Sequence, residues 1–113
     1  MLPSNMIAVQ YYVESSGRSP FEDWFYSLPD DAGAKVTVAL TRMELGNLSN
    51  TKSVGEGVLE YRIDFGPGYR VYFGRDGATL VILLGGGTKR RQQQDIEAAK
   101  ARWQDYKRRK SGK

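Results

Sequence analysis

Two short stretches of β character, residues 58–65 and 69–73, are joined by the sequence GPG and constrain the fold more than any other feature. From Leu59 to Phe65 apolar and polar side chains alternate, which is the period-two pattern of a strand with one buried face. The glycines at positions 66 and 68 mark a tight turn. The pattern therefore predicts an antiparallel hairpin that has one apolar and one polar face.

A three-residue loop at residues 66–68 sets the predicted register of this hairpin. It places Phe65 opposite Tyr69 and Asp64 opposite Arg70, and residues that lie directly opposite share a face of the sheet. A two-residue loop would mix apolar with polar side chains, so the polarity pattern favours the three-residue loop. In the predicted register the polar face carries Glu60, Arg62, Asp64, Arg70 and Tyr72.

The segments before the hairpin predict one strand and two helices. Residues 7–13 are rich in β-branched and aromatic side chains, which favour a strand. Ser19 is predicted to cap a short helix that begins at Pro20. A second helix is predicted to run to about Leu45, capped by one of the two aspartates at positions 30 and 31. A polar loop over residues 47–57 is predicted to follow.

The segments after the hairpin predict one more strand and a final helix. Residues 79–84 are apolar on both faces and are predicted to form the central strand, which the glycines at 85–87 end. A helix is predicted from near Gln92, with an apolar seam for packing on the sheet. The order predicts an α+β fold: an N-terminal strand, two helices, a three-stranded antiparallel meander and a C-terminal helix. We interpret residues 1–113 as one domain, with a flexible basic tail at about 107–113.

The chain contains no histidine and no cysteine, which excludes several kinds of chemistry. Ser-His-Asp and Cys-His catalysis, His-ligated zinc and thiolate metal sites all need one of these residues. We therefore predict no metal site with histidine or cysteine ligands, and no cofactor is predicted either. No apolar run approaches the length of a membrane span, and the N-terminus lacks a signal-peptide pattern, so a cytoplasmic location is predicted.

Positive charge is concentrated at the C-terminal end. From Lys89 onward there are ten Lys or Arg residues and three acids, which places +7 there against +4 for the whole chain. This asymmetry indicates contact with a polyanion or an acidic partner. For residues 107–113 alone, a solvated basic helix explains the charge equally well.

Two basic features could bind a phosphate. Arg62 and Arg70 share the polar face of the predicted hairpin, and paired guanidinium groups suit a phosphate that gains charge in a transition state. A cross-strand ladder of ion pairs would also explain them. The glycines at 85–87 precede a Lys-Arg-Arg sequence at a predicted helix start, where backbone N–H groups can approach an anion. Arg90 occupies the Ser/Thr position of a nucleotide P-loop, so that motif is not met.

Four segments together resemble a known family: EYRI (60–63), GPGYRVYF (66–73), LLGGGTK (83–89) and Gln92 with Asp95-Ile96. They are similar to the addiction-module killer proteins of the RelE/HigB superfamily, and the resemblance extends from about Val9 to Trp103. It implies a type II toxin that cuts mRNA, commonly on the ribosome, and so inhibits translation. The implied cleavage needs no metal, because the RNA 2′-OH attacks the adjacent phosphorus. A cognate antitoxin, such as a helix-turn-helix protein, is implied as partner, with a heterotetramer as one possible assembly.

The resemblance also implies roles for individual residues. Arg70 and Arg90 would hold and neutralise the scissile phosphate, with support from Arg62 and Lys89. The proton acceptor stays open among Lys89, Asp64 and Tyr72. Thr88 and Arg90 depart from the family's Gly-Gly-Asp-Lys-Ser pattern. The further residues predicted to contact RNA are Lys52, Asp64, Tyr72, Arg91 and Gln92.

Two alternatives remain beside the ribonuclease. A ParE-like relative with the same fold would inhibit gyrase and would not need catalytic arginines. A non-enzymatic nucleic-acid-binding regulator from a phage or plasmid would use the basic surface for binding alone. The presence of Arg62, Arg70 and Lys89 favours the ribonuclease.

Overall fold

A computed structural model describes residues 6–112 and shows an α+β domain with one five-stranded sheet. The predicted fold class is confirmed. A short 3₁₀ helix, Lys89–Arg91, lies between the last strand and the last helix. In chain order the other elements are β1 (Ala8–Tyr11), α1 (Pro20–Tyr26), α2 (Asp30–Glu44), β2 (Thr51–Gly55), β3 (Val58–Ile63), β4 (Tyr69–Arg75), β5 (Leu80–Thr88) and α3 (Gln92–Gly112).

The sheet is mixed and has the order β1-β5-β4-β3-β2. β1 pairs with β5 in parallel, and the other neighbours are antiparallel. Helices α1 and α2 cover one face, and α3 covers the other. The prediction that residues 79–84 form the central strand is wrong by one place: β5 is an inner strand, and β4 lies at the centre because a further strand extends the sheet beyond β3.

That further strand is β2, which replaces part of the loop predicted over residues 47–57. Its residue Lys52 pairs with Glu60 of β3. Most of its side chains are polar or exposed, so it lacks the apolar alternation that identifies a half-buried strand. Polar residues suit an edge strand because they discourage pairing with other chains. Backbone pairing with β3, and not side-chain burial, forms this strand.

The hairpin of β3 and β4 has its predicted faces but not its predicted register. Ile63 pairs with Tyr69 and Arg62 with Arg70, so five residues connect the strands and the register differs by two. A shift of two residues preserves which face each side chain occupies, because side chains alternate with period two. Asp64 is the exception: it lies in the connection, with its side chain 91% exposed.

The helix termini agree with the sequence in part. Ser19 caps α1 as predicted, and its Oγ accepts a hydrogen bond from the Glu22 N–H at 3.2 Å. The predicted aspartate cap of α2 is wrong, because Pro29 precedes the helix and Asp30 is already its first residue. Acidic side chains in a first turn still interact favourably with the helix dipole. Helix α3 extends to Gly112, so residues 107–112 have helical backbone, while the flexibility of the tail stays a prediction.

The glycines at 85–87 do not end β5 as predicted but lie inside it. Each leaves room for a side chain from a helix: a Cβ on Gly86 would clash with the Trp24 ring, and one on Gly87 would clash with the Asp95 carboxylate. A Cβ on Gly85 would lie 2.7 Å from Arg102 Nη1. The glycine run therefore allows α1 and α3 to approach the sheet closely. It is not a loop that presents backbone N–H groups to an anion.

We expect the Gly74→Ala variant to be destabilised by about 1–3 kcal/mol. An added Cβ would lie 2.5 Å from the Trp103 ring, which packs on β4 in the apolar core between the sheet and α3. Gly33→Ala is the control, because only a Phe25 atom lies nearby, at 4.0 Å, and alanine favours the α2 helix. Urea unfolding measures both, and equal stabilities for the two variants would contradict this packing.

Within residues 6–112, no helix combines the length and the apolar character that crossing a membrane requires.

Candidate active site

Two rows of side chains run across the α3 face of the sheet beside the start of α3. Lys52, Glu60 and Tyr72 are aligned in the first row by the pairing of β2, β3 and β4. Arg62 and Arg70 form the second row, in which Arg70 also pairs with Gly87 of β5. Neighbouring strands are about 4.8 Å apart, and the two rows are only two residues apart along β3 and β4. Both rows therefore belong to one compact cluster.

Glu60 is the centre of this cluster, and its side chain is only 1% exposed. The Tyr72 hydroxyl donates to Glu60 Oε2 at 3.2 Å, and Gln92 Nε2 donates to the same oxygen at 2.7 Å. Arg70 Nε lies 3.5 Å from this oxygen, and Lys52 Nζ lies 3.8 Å from Oε1. A buried carboxylate needs such partners. Glu60 therefore links β2, β4 and the first residue of α3.

Arg70 is the buried cation of the cluster, with 7% of its side chain exposed. Its Nε is buried without a hydrogen-bond acceptor among residues 6–112, although Glu60 Oε2 is close enough for an ion pair. A guanidinium group has five N–H donors. Arg70 thus has donors that the protein itself leaves unused, next to the exposed Arg62.

Arg62 and Lys52 form the exposed rim of the cluster. Their side chains are 61% and 65% exposed, respectively. The nearest acid to Arg62 is Asp64, whose Oδ1 lies 3.8 Å from Arg62 Nε. Because Asp64 is in the hairpin connection, it is removed from Glu60 and Tyr72. The structure therefore brings Arg62 and Lys52 to the cluster but leaves Asp64 outside it.

The basic segment after β5 lies at a second side of the cluster. Lys89, Arg90 and Arg91 form the 3₁₀ helix, and all three are exposed. Arg91 Nε donates to Gln94 at 2.8 Å. Across the described part of the chain, the Lys89 and Arg90 side chains have no hydrogen-bond or ion-pair partner. Gln92, by contrast, is bound to Glu60 and couples this segment to the buried carboxylate.

Tyr72 is unsuited to accept a proton. Burial raises the pKa of its phenol well above the ordinary value, and the negative charge of Glu60 raises it further. The phenol keeps its proton and donates it to Glu60 Oε2. Of the three predicted proton acceptors, Lys89 alone lies beside the cluster without a hydrogen-bond or ion-pair partner among residues 6–112.

Asp95 is a second acid that the sequence did not indicate as part of the site. It lies in the first turn of α3, partly buried, with its carboxylate over Gly87. Burial raises the pKa of this carboxyl, although Arg91 and Arg102 oppose the shift. Within residues 6–112 the carboxylate has no hydrogen-bond or ion-pair partner. Its place over the sheet depends on the glycine at position 87.

Glu60 was on the predicted polar face but was not predicted as a site residue. The available signal was the position of Glu60, an acid on the same strand face as Arg62 and separated from it by the aromatic residue Tyr61. Asp95 lies in one of the segments that carry the resemblance, but no role was predicted for it, since acids are common in the first turn of a helix. Among the described residues, no three carboxylates come together as potential metal ligands.

The fold and this cluster define a small α+β domain with a buried Arg-Glu pair and exposed cations around it. The chain belongs to the phage-derived Gp49-like family, a family of toxins related to RelE and HigB, whose model matches residues 23–104. An uncharacterized protein of Haemophilus influenzae is 43% identical over 81 residues, which cover 71% of this chain and 82% of that relative. Membership of this family suggests a toxin of a toxin–antitoxin system.

Proposed function

We propose that this protein is the toxin of a type II toxin–antitoxin pair and that it is an endoribonuclease that cleaves mRNA, on the ribosome, in the cytoplasm. The observation that carries the proposal is the unused donor capacity of Arg70 beside Arg62. Leaving a buried N–H donor without an acceptor costs free energy, so an anion that completes the contacts of this guanidinium group would be bound favourably. In a toxin family related to RelE and HigB, the phosphate of RNA is the anion that we propose.

Both arginines would bind the phosphate, and each would contribute differently. Arg70 is fixed by packing and by Glu60, so it supplies a preorganised charge that needs no rearrangement during the reaction. Arg62 lies on the neighbouring strand with its side chain 61% exposed, so it would contact the phosphate from the solvent side. Lys52 and the exposed side chain of Arg90 would hold the adjoining phosphates of the RNA.

The proposed reaction is a transphosphorylation that needs no metal ion. The 2′-OH of one nucleotide loses its proton and attacks the adjacent phosphorus. The P–O bond to the next 5′ oxygen breaks, and that oxygen takes up a proton. The products are a 2′,3′-cyclic phosphate and a 5′-OH end. Negative charge that develops on the phosphorane oxygens would be stabilised by Arg62 and Arg70, and Lys89 is the proposed proton acceptor.

We expect Arg62→Ala to lower mRNA cleavage by about tenfold or more, because it removes a charged hydrogen-bond donor from the phosphate. The variant should fold normally, since Arg62 is exposed. The measurement is induced expression followed by mapping of new mRNA 5′ ends. Arg75→Ala is the matched control: Arg75 is an exposed arginine at the far end of β4, and its side chain donates a hydrogen bond to the Ala78 carbonyl in the next turn.

The same experiment separates the alternatives. Growth arrest with intact mRNA and accumulating DNA breaks would replace the ribonuclease proposal with a gyrase inhibitor. A protein that is harmless when expressed without an antitoxin would exclude both kinds of toxin and favour a nucleic-acid-binding regulator.

An antitoxin is part of this proposal. The exposed cations around Arg70 are complementary to an acidic segment of a partner as well as to RNA. We propose that such a segment, carried by a helix-turn-helix protein, covers the basic rim, with a heterotetramer as one possible assembly.

Charge reversal at Lys89 and Arg90 should then weaken the complex with the antitoxin, and the weakening should be largest at low salt.

A further inference from the structure

A small cavity opens beside the proposed phosphate site, at the end of β5 that lies next to α1 and α3. Its volume is about 250 Å³, and its lining includes Trp24, Gly86, Gly87, Arg90, Arg91 and Asp95. The cavity offers an aromatic ring, a strand edge and a carboxylate, and the phosphate site uses none of these three groups. Each of these is a group that recognises an unpaired nucleobase.

Trp24 forms one wall of the cavity. Its ring packs on Gly86 and against Phe21, whose ring centroid lies 5.7 Å away, so its orientation is fixed by the core. The residue is still partly exposed. A rigid, partly exposed indole is a platform on which a base can stack.

The edge of β5 borders the same cavity. β1 pairs with β5 only as far as Leu83. In the part of the chain that the structure describes, no strand pairs with the following β5 residues on that side. Backbone groups at an unpaired strand edge can hydrogen-bond to a base.

Asp95 lines the cavity from the α3 face of the sheet and supplies acceptors, whereas Trp24 lines it from the α1 face, so the cavity extends around the edge of β5. Its carboxylate is partly buried and has no hydrogen-bond or ion-pair partner within residues 6–112, which leaves its oxygens available as acceptors. The glycine at position 87 makes this position possible. Arg70 pairs with that same glycine, so Asp95 lies over the β5 residue that neighbours the proposed phosphate-binding residue.

We propose that the cavity between Trp24 and Asp95 binds one unpaired base of the RNA, and that Asp95 selects guanine. Guanine presents two adjacent donors, N1–H and N2–H, which one carboxylate accepts together. Hypoxanthine lacks the N2–H donor, and adenine lacks both donors. The guanine would stack on Trp24, and its 3′-phosphate would face Arg70. This inference rests on the proposed ribonuclease function, of which it is the base-recognition subsite.

The test is a titration of the full-length protein with the 3′-monophosphates of guanosine, inosine and adenosine. It is followed by the indole N–H signals of Trp24 and Trp103 in ¹H–¹⁵N NMR spectra. We expect the Trp24 signal to move and the signal of the buried Trp103 to stay in place. Guanosine 3′-monophosphate should bind about tenfold more tightly than the inosine nucleotide, which lacks the 2-amino group.

Asp95→Asn should reduce the affinity for guanosine 3′-monophosphate to the affinity for the inosine nucleotide. Glu97→Gln is the matched control, because Glu97 is an exposed acid on the same helix, and it should keep the preference. Equal affinities for the two nucleotides in the unmodified protein, or a guanine preference that survives in Asp95→Asn, would overturn the inference. A change in stability without a change in base preference would show that Asp95 serves only the helix.

Binding does not require cleavage, so the two proposals can fail separately. Arg70-dependent cleavage without a guanine preference would exclude the base subsite and leave the ribonuclease in place. A guanine preference in a protein that cleaves no RNA would support the subsite and exclude the proposed function.

Discussion

Arg70→Lys is expected to lower the rate of RNA cleavage by about 10²- to 10³-fold. Lysine keeps a positive charge beside Glu60, so the variant should fold. It cannot reproduce the planar fork of N–H donors with which arginine contacts two phosphate oxygens. The measurement is single-turnover cleavage of a defined mRNA on programmed ribosomes, with circular dichroism as a check of the fold.

Arg75→Lys is the control for this substitution, because it makes the same chemical change at the exposed end of the same strand. It should leave the cleavage rate unchanged. A folded Arg70→Lys variant that cleaves as fast as the unmodified protein would show that Arg70 serves the structure and not the reaction.

Glu60→Ala should lower the free energy of unfolding by about 3–5 kcal/mol, because it leaves a buried guanidinium group without its counter-charge. It also removes the acceptor of Tyr72 and of Gln92, and so detaches the first residue of α3 from the sheet. Urea unfolding at neutral pH measures the loss. Glu97→Ala, which removes an exposed acid from α3, should change stability by less than about 0.5 kcal/mol.

A double-mutant cycle tests whether the loss comes from the ion pair with Arg70. Removing both charges, with Glu60→Gln and Arg70→Met, should cost less than the two single changes added together, because neither charge is then buried alone. Additive effects would mean that Glu60 stabilises the fold through Tyr72 and Gln92 instead.

The fold was largely predictable because its signals are local. Alternation over residues 58–65 gave the hairpin faces, the Ser19 cap gave the start of α1, and the seam of α3 is read from helical spacing. β2 was not predictable in this way. Its pairing with β3 is made by backbone groups, and backbone groups are the same whatever the side chains are.

The glycines at 85–87 are a second feature whose role could not be predicted from the sequence. In the sequence they indicate a flexible connection, since glycine has no conformational preference of its own. Their role inside β5 depends on Trp24 and Asp95, which approach from two helices on opposite faces of the sheet. Only packing between elements distant in sequence decides whether a glycine ends a strand or makes room within it.

What the sequence by itself determined is which side chains share a face. Arg62, Arg70 and Tyr72 are together because alternation survives the two-residue difference in register. The tertiary structure alone decided what these residues do to one another. It buried Glu60 between Arg70 and Gln92, left Asp64 in solvent, and brought Asp95 over the sheet. Burial and long-range contact set the energy of a charge, and neither is encoded in the spacing of residues along the chain.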